Sequence, residues 1–517
     1  MPTSAGNLRE HTFRGTTQSL CPECLDVVGA KIIVRDGRVY FQKFCPAHGR
    51  REDFVCSDDR WWDRLEFNVP GREPVHYGVE PRRGCPYDCG LCTQHEQHTC
   101  IAVLEITASC NLTCPMCYAS SRPGGKHLRV DECQRAIDRL VECEGRAEIL
   151  QLSGGEPTIH PQFAEIFDYA CRQPIDWVMV NTNGIRLAGD RALCELLASR
   201  SKQCQVYLQM DGLDDRVHPP LRGASLLETK LRAIERLGEY GVSATLVATL
   251  HPGVNDDQLG PLIRFAVERS WINGVNFQPA TYVGRTVEPP SLDQRVTFPD
   301  VIRGVARQTE GLFAESDFFP VPCAHPNAHT ISYAFRSAGS VIPITRFVDI
   351  ERHYDLLANG ISLNRGSTRA IIERYLSREA CGPGCDCNAG SVNGDGLPIG
   401  VGVLGRGASF GAASEHDSPL LVDGEPASAV RSLAERFLSR ALREELSAAD
   451  MFRVSTTSFM DAYNFDLRQL MKSCVHHLLP SGHLIPFDAY NVLYRTSRLP
   501  LPRLTSDSTL RKPIISA

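Results

Sequence analysis

The sequence of 517 residues lacks any long apolar run. A helix that crosses a bilayer needs about 20 consecutive apolar residues, so we expect no membrane-spanning segment. The first eleven residues contain no apolar signal core, and we therefore expect the protein to stay in the cytoplasm. Excess positive charge is also missing, since the net charge is −6, and this excludes wholesale binding of nucleic acid. No internal repeat of fixed period occurs.

Cysteine, in contrast, is abundant, with 21 residues. The reducing cytoplasm keeps thiols free, so these cysteines are not mainly disulfides. Five of them stand alone among helical or strand-like residues and fit free buried cysteine, namely Cys133, Cys143, Cys171, Cys194 and Cys204. The others mostly cluster at the spacings of metal ligands. This pattern indicates metal binding.

The chain divides into regions of different character. Residues 18–60 form a small cysteine-bearing module, in which Asp36-Gly37 between two strand-like runs indicates a hairpin. Residues 80–100 carry four more cysteines, and residues 101–320 alternate between strand and helix patterns. Residues 321–495 are less regular, and we expect an irregular C-terminal domain there. Residues 496–517 are polar, and we expect a disordered tail.

The alternating region predicts the fold class. Six apolar strands are predicted, at residues 101–107, 148–152, 177–181, 205–210, 244–249 and 274–278. Helical patterns separate most of them, at residues 130–141, 161–171, 193–200 and 226–237. Strands that alternate with helices form a parallel sheet, and six such units predict an α/β fold with a partial (β/α)6 barrel. Catalytic groups in such folds lie at the carboxyl ends of the strands.

A three-cysteine motif follows the first predicted strand. Cys110, Cys114 and Cys117 can hold three corners of a cubane [4Fe–4S] cluster, which leaves the fourth iron open to a substrate. The second strand ends in Ser153-Gly154-Gly155-Glu156, where paired glycines allow close approach and the glutamate can pair with an ammonium group. A cysteine loop alone is also compatible with a zinc knuckle. The two motifs in this order, on consecutive strand ends, favour the cluster.

These residues resemble the radical S-adenosylmethionine (radical SAM) superfamily, whose signature is CxxxCxxC after strand one and GGE after strand two. The resemblance implies that SAM chelates the open iron and is cleaved to a 5′-deoxyadenosyl radical, which abstracts hydrogen from the substrate. It also implies SAM contacts on the strand ends. The residues in question are Gly154, Gly155 and Glu156 for the methionine end, and Asn181, Asn183, Asp211 and Gln278 for the ribose and adenine.

A second CxxxCxxC motif precedes the barrel. Cys85, Cys89 and Cys92 repeat the spacing, but no barrel strand comes before them, and Cys100 follows closely enough to act as a fourth ligand. Four thiolates close a cluster and suit it to electron relay. The sequence therefore predicts an auxiliary [4Fe–4S] cluster, with a structural zinc site of four cysteines as the alternative.

The N-terminal module carries its own ligand pattern. Cys21, Cys24 and Cys45 are three ligands of a zinc ribbon or a mononuclear iron site, and either His48 or Cys56 supplies the fourth. Cys56 is favoured if the site is a rubredoxin-like iron.

A third group of cysteines lies in the C-terminal region. Its members are Cys323, Cys381, Cys385, Cys387 and Cys474. They are candidates for a further cluster, because residues 381–387 form a tight, turn-rich loop.

The longer motifs indicate a particular family within the superfamily. The sequence carries CPEC…CPAHG, GCPYDCGLC, FQPATYVGR, PCAHP, FMDAYNFD and CVHHLLPSGHLIPFDAYN in this order. It is similar in these motifs to the tetraether lipid synthase family, within a group described as pterin methyltransferase-like. The resemblance implies auxiliary clusters, a rubredoxin-like iron and the coupling of unactivated lipid methyl termini. This chain departs from the family at Ala328, Ser473 and Asp488, where members usually carry cysteine.

The leading functional hypothesis is therefore a radical SAM oxidoreductase or synthase that acts on an apolar or lipid substrate by carbon–carbon coupling. Such an enzyme needs an electron donor such as ferredoxin or flavodoxin, and a lipid substrate would bring it into peripheral contact with a membrane. The alternative within enzymes is methyl or alkyl transfer to a small molecule such as a reduced pterin. An alternative of another class is a zinc-ribbon binding protein whose cysteines are all structural.

Overall fold

A computed structural model of the chain describes residues 10–337, 340–359, 365–380 and 427–505. The N-terminal module is an antiparallel sheet of order β1-β2-β3-β4. Its strands are β1 (Thr12–Leu20), β2 (Val27–Arg35), β3 (Arg38–Cys45) and β4 (Gly49–Cys56). Asp36 and Gly37 join β2 to β3 with φ angles of 50° and 71°. A two-residue hairpin turn of type I′ requires positive φ at both of these positions.

The central part of the chain is the predicted α/β barrel. Six strands pair in parallel in the order β10-β9-β8-β7-β6-β5. They are β5 (Ile101–Thr107), β6 (Ala147–Gly154), β7 (Ile175–Thr182), β8 (Cys204–Gln209), β9 (Ala244–Leu250) and β10 (Ile272–Pro279). The predicted fold class is confirmed, and every predicted strand overlaps an observed one.

Helices cover the outside of these strands. They are α1 (Val130–Glu144), α2 (Phe163–Arg172), α3 (Arg191–Ala198), α5 (Leu227–Glu239), α6 (Leu259–Val267) and α7 (Phe298–Gln308). The short helix α4 (His218–Arg222) lies instead at the carboxyl end of β8. The strands are buried on both faces, β6 along nearly its whole length, as parallel strands between helices and a barrel interior should be. Fully buried side chains such as Leu104, Leu150 and Phe167 form the main core between the sheet and the helices.

The C-terminal region is part of the same sheet. Its strands are β11 (Phe319–Pro320), β12 (His329–Ser337), β13 (Ser340–Pro343), β14 (Met451–Thr457), β15 (Val475–Leu478) and β16 (Leu484–Pro486). Strand β14 pairs in parallel with β10, and β15 pairs in parallel with β5. The irregular domain expected for residues 321–495 thus supplies strands to both edges of the barrel. This pairing satisfies backbone groups that an open sheet would leave exposed.

Two long and two short helices complete the C-terminal region. They are α8 (Arg365–Ala380), α9 (Ala427–Leu442), α10 (Leu467–Met471) and α11 (Phe487–Ala489), and a π-helix follows at Tyr490–Tyr494. Among the described residues, no helix is both long and apolar enough to cross a membrane.

The start of the expected disordered tail is ordered. Residues 496–505 contact the segment before the barrel, where the Thr505 N–H donates to the Gly78 carbonyl at 3.0 Å and Leu504 forms a β-bridge with Val79. His483 Nε2 hydrogen-bonds to the Pro502 carbonyl at 2.7 Å. Residues 506–517 lie outside the described residues, as do Cys381, Cys385 and Cys387.

Candidate active site and metal centres

A cavity of about 300 Å³ runs through the barrel interior. One end carries the three-cysteine loop, and the other end is closed by residues of the C-terminal strands. Its lining includes, at the loop end, Cys110, Cys114, Cys117, Gly154, Gly155, Asn181, Asn183 and Arg222, and further in, Gln151, Tyr207, Asn276, Gln278, His329, Tyr333 and Arg453. The carboxyl ends of the strands thus meet at one opening, as the sequence predicts.

The cysteine loop is fastened to the chain after β10. The Cys117 N–H donates to the Arg285 carbonyl at 2.8 Å, and the Arg285 N–H donates back to the Cys117 carbonyl at 3.0 Å. The Arg285 guanidinium also donates to the Cys114 carbonyl at 3.0 Å. These contacts hold Cys114 and Cys117 in place, and all three cysteines line the cavity. Arg285 was noted in the sequence within the FQPATYVGR motif but was assigned no role.

The two glycines after β6 allow this loop to approach closely. A Cβ at Gly154, whose φ is 126°, would lie 2.1 Å from the Thr107 carbonyl oxygen, and a Cβ at Gly155 would lie 2.2 Å from the Ser109 carbonyl oxygen. The Gly155 N–H instead donates to the Thr107 carbonyl at 2.8 Å. The glycines therefore set the position of the Cys110 loop as well as the cavity wall.

Glu156, directly after β6, is held by hydrogen bonds within the protein. It is buried and absent from the cavity lining. Its carboxylate accepts hydrogen bonds from the Thr158 N–H and hydroxyl at 3.2 and 2.6 Å, the Thr182 hydroxyl at 2.7 Å, and the Asn183 N–H at 2.7 Å. These hydrogen bonds position the end of β7. The contact of Glu156 with SAM stays a prediction.

Asp211 is likewise an internal residue. It is fully buried, and both of its oxygens pair with the Arg222 guanidinium at 2.7 Å. Burial alone would raise the pKa of Asp211, but the Arg222 charge outweighs burial and the pKa is lowered. Arg222, which the sequence did not single out, lines the cavity and lies against Cys114. Asp211 therefore orients Arg222, and its contact with ribose or adenine stays a prediction.

The other predicted SAM contacts do line the cavity. The amide of Asn181 donates to the Ser153 hydroxyl at 3.1 Å, and that of Asn183 donates to Asn111 at 2.7 Å. Gln278 donates to the Tyr207 hydroxyl at 3.3 Å. These positions are compatible with binding SAM, and their roles stay predictions.

Lys230 is a site residue that sequence reasoning missed. It is fully buried, and its ammonium donates to the carbonyls of Asn183 and Gln209, at 3.1 and 2.5 Å. It thereby joins the ends of β7 and β8 beneath the cavity. Burial lowers the pKa of Lys230 to about 8. A lysine in an amphipathic helix carries no local signal for this role.

The cysteine loop is chemically suited to a metal. Burial raises the pKa of Cys110 to about 12 and also raises that of Cys114. A protonated thiol is a poor metal ligand. The positive charge of a coordinated iron stabilises the thiolate, so the thiol loses its proton when it binds. The three thiols at one open end fit a cubane with a free iron.

The second CxxxCxxC motif forms only part of the predicted site. Cys85 and Cys89 lie in contact, with Cys92 nearby. Cys100 is not with them. It lies with Cys323 and Cys474, the three thiols being within 4.8 Å of one another. The prediction of Cys100 as the fourth ligand is therefore corrected, because the backbone of Cys100 is hydrogen-bonded to Cys474 and its thiol lies with those of Cys323 and Cys474.

The N-terminal module brings four donors together. The ligand atoms of Cys21, Cys24, Cys45 and His48 all lie within 4.8 Å of one another. A hydrogen bond from the His48 ring lowers the pKa of Cys45 to about 6, which favours the thiolate that binds metals. Cys56 does not join the group, and its thiol donates to the Asp58 carbonyl at 3.4 Å. The expectation of Cys56 as a ligand is corrected, and His48 takes its place.

Comparisons with known proteins agree with this organisation. The model of the radical SAM superfamily matches residues 104–266, and that of the HMPTM N-terminal zinc ribbon domain matches residues 13–57. A 7,8-dihydro-6-hydroxymethylpterin dimethyltransferase of Methanocaldococcus jannaschii is 32% identical over 511 residues, which cover 93% of this chain and 94% of that protein.

Two further similarities are confined to part of the chain. The mycofactocin maturase MftC of Mycolicibacterium smegmatis is 31% identical over 156 residues, or 30% of this chain and 38% of that protein. The crystal structure of SuiB from Streptococcus suis is 18% identical with a TM-score of 0.35, over 41% of this chain and 46% of that one.

Proposed function

The chain belongs to the radical SAM superfamily, and within it to the family of the Methanocaldococcus pterin dimethyltransferase, and from this premise we propose that it methylates a reduced pterin. The enzyme uses a [4Fe–4S] cluster and SAM, and its ribbon is a further metal site. A small heterocycle thus replaces the lipid chain of the leading hypothesis, and the pterin alternative becomes the main one.

The observation that carries this proposal is the side chain of Gln151. This residue lies on β6 and points into the cavity, where only 9% of it is exposed. Within the described residues, its amide makes no hydrogen bond to another group of the protein. An apolar ligand that filled the cavity would bury this amide without a partner, at a cost of about 1–3 kcal/mol. A pterin ring offers adjacent donors and acceptors that would satisfy it, whereas an alkyl chain offers none.

Other polar groups surround Gln151 at this depth. The Tyr207 hydroxyl accepts hydrogen bonds from Asn276 and Gln278, so its own O–H remains able to donate. One amino group of the Arg453 guanidinium donates to Gln205 at 2.9 Å and to Thr245 at 3.0 Å, which leaves the other N–H groups for a ligand. This set of donors and acceptors supports recognition of a hydrogen-bonding ring.

Residues at different depths of the cavity have different roles in this proposal. When bound, the cluster and SAM supply the one-electron chemistry that activates an unreactive carbon. Arg222, held by Asp211, places positive charge beside Cys114 at the loop end. Gln151 and Tyr207 would orient the ring deeper in. The surrounding apolar residues, such as Met179 and Val247, keep water from the reacting carbon.

The proposal is tested by turnover of 7,8-dihydro-6-hydroxymethylpterin by the reduced holoenzyme, with mass spectrometry of the pterin product. We expect a methylated pterin, and SAM labelled in its methyl group identifies the carbon source. Gln151→Leu should raise the KM for the pterin roughly tenfold or more, because the ring loses a buried hydrogen-bonding partner. Gln134→Leu, on the outer helix α1, is the matched control. Absence of any methylated pterin would contradict the proposal.

A further inference from the structure

The deep end of the barrel cavity contains a cation without a carboxylate partner. Arg453 lies on β14, is half-buried and lines the cavity. One amino group of its guanidinium donates to Gln205 Oε1 at 2.9 Å and to the Thr245 hydroxyl at 3.0 Å. In the part of the chain that the structure describes, no Asp or Glu forms an ion pair with it. The second amino group is therefore available to a group bound in the cavity.

The neighbouring strand leaves room for this side chain. Gly274 of β10 is the parallel partner of Arg453, and a Cβ at Gly274 would lie 2.5 Å from Arg453 Cγ. The missing side chain thus allows the guanidinium to cross β10 and reach β9 and β8. A larger residue at this position would collide with the arginine.

A second free donor lies close to Arg453. The Tyr207 hydroxyl accepts hydrogen bonds from two side-chain amides, so its own O–H is free to donate. Burial raises the pKa of Tyr207, and the positive charge of Arg453 partly offsets this rise, so the two groups are neighbours. The nearby Asn276 oxygen already accepts from the hydroxyls of Ser455 and Thr457, at 3.0 and 3.2 Å. A ligand group that meets both Arg453 and Tyr207 must therefore be an acceptor.

Arg453 is distant from the cysteine loop. Its partner Thr245 and the later residue Thr249 lie on the same strand, β9, and both line the cavity. Thr249 accepts a hydrogen bond from Arg222 at 3.0 Å, and Arg222 lies against Cys114. A rise of about 3.3 Å per residue places the two threonines roughly 13 Å apart. Arg453 therefore contacts the end of a ligand that lies away from the loop.

We propose that Arg453 determines specificity for a ring that carries an exocyclic carbonyl oxygen. This inference rests on the proposed function and adds the orientation of the substrate. A pterin has a carbonyl group on its pyrimidine ring, and the hydroxymethyl group is on its other ring. The carbonyl oxygen would accept hydrogen bonds from Arg453 and Tyr207, the first of them strengthened by the positive charge. The ring with the hydroxymethyl group would then face the cysteine loop.

The first test needs no variant and compares two ligands of the wild-type holoenzyme. They are 7,8-dihydro-6-hydroxymethylpterin and its analogue with an amino group in place of the carbonyl oxygen. Dissociation constants are measured by equilibrium dialysis in the presence of SAM, without turnover. We expect the carbonyl compound to bind roughly ten- to a hundredfold more tightly, because the amino group would place hydrogens against two donors. Equal affinities would overturn the inference.

Variants then assign this preference to Arg453. Arg453→Met should reduce the preference about tenfold or more, whereas Arg232→Gln, at an exposed arginine of α5, should keep the wild-type preference. A preference of wild-type size in Arg453→Met would overturn the inference. A wild-type enzyme that shows the preference but does not methylate the pterin would support the inference and contradict the proposed function, so the two claims fail separately.

Discussion

Replacing Glu156 with glutamine tests whether this residue holds the strand ends or contacts SAM. The carboxylate accepts two backbone N–H groups, those of Thr158 and Asn183, on different oxygens. A glutamine has one oxygen, so its NH2 group must face one of these N–H groups whichever way the amide is turned. The neighbouring hydroxyls can rotate to adapt, but a backbone N–H cannot.

The cost can be estimated from the groups left without partners. One buried backbone N–H loses its acceptor and meets an amide NH2 instead, at about 1–3 kcal/mol, so Glu156→Gln should destabilise the fold by about 1–3 kcal/mol. We expect a melting temperature lower by several degrees, together with slower formation of 5′-deoxyadenosine, because Asn183 at the cavity rim shifts.

The assay compares thermal unfolding and SAM cleavage in Glu156→Gln with those in Glu142→Gln, a change at an exposed residue of α1. The control should match the wild type in both. If Glu156→Gln melts like the wild type and only binds SAM more weakly, the carboxylate contacts SAM directly and the structural argument is wrong.

Three further predictions follow from the same site. Cys114→Ala should abolish 5′-deoxyadenosine formation, since the cluster loses a corner, and cleavage at the wild-type rate would refute the assignment. Gly155→Ala should lower the iron content of the cluster, because the new Cβ would lie 2.2 Å from the Ser109 carbonyl oxygen. The control Gly189→Ala, which has open space around its Cβ, should keep the wild-type iron content, and equal iron contents in the two variants would contradict the close approach of the loop. Burial lowers the pKa of Lys230 to about 8 from 10.5, so the unfolded chain binds more protons between these pH values and the folded wild type gains stability as pH rises. Relative to Lys230→Met the gain should reach about 3 kcal/mol, seen as a widening gap in melting temperature from pH 7 to pH 10, and a constant gap would contradict it.

The barrel was predictable because its signals are local. Apolar strands that alternate with helices, and motifs on consecutive strand ends, depend on short stretches of sequence, and the six strands appear where they are expected. The edges of the sheet were not predictable in this way. Strands β14 and β15 pair with β10 and β5, which lie more than 170 residues away in the chain, and their sequences carry no sign of the partner.

At the metal and SAM sites, too, the sequence does not reveal which residues come together in the fold. Sequence spacing placed Cys100 with Cys92, but the path of the chain into β5 brings it to Cys323 and Cys474 instead. Glu156 and Asp211 lie at the strand ends, and their carboxylates are hydrogen-bonded to protein groups. Spacing reveals which residues can bind a ligand, whereas burial and orientation decide which ones face it.

The most direct test of the proposed function compares pterin and lipid extracts from cells that produce the wild-type chain or its Cys114→Ala variant. Both extracts are analysed by mass spectrometry from the same cultures. Methylation of a reduced pterin predicts methylated pterins in the wild-type cells alone, with identical lipid profiles. An unchanged pterin pool together with coupled lipid chains that depend on the wild-type protein would contradict the account.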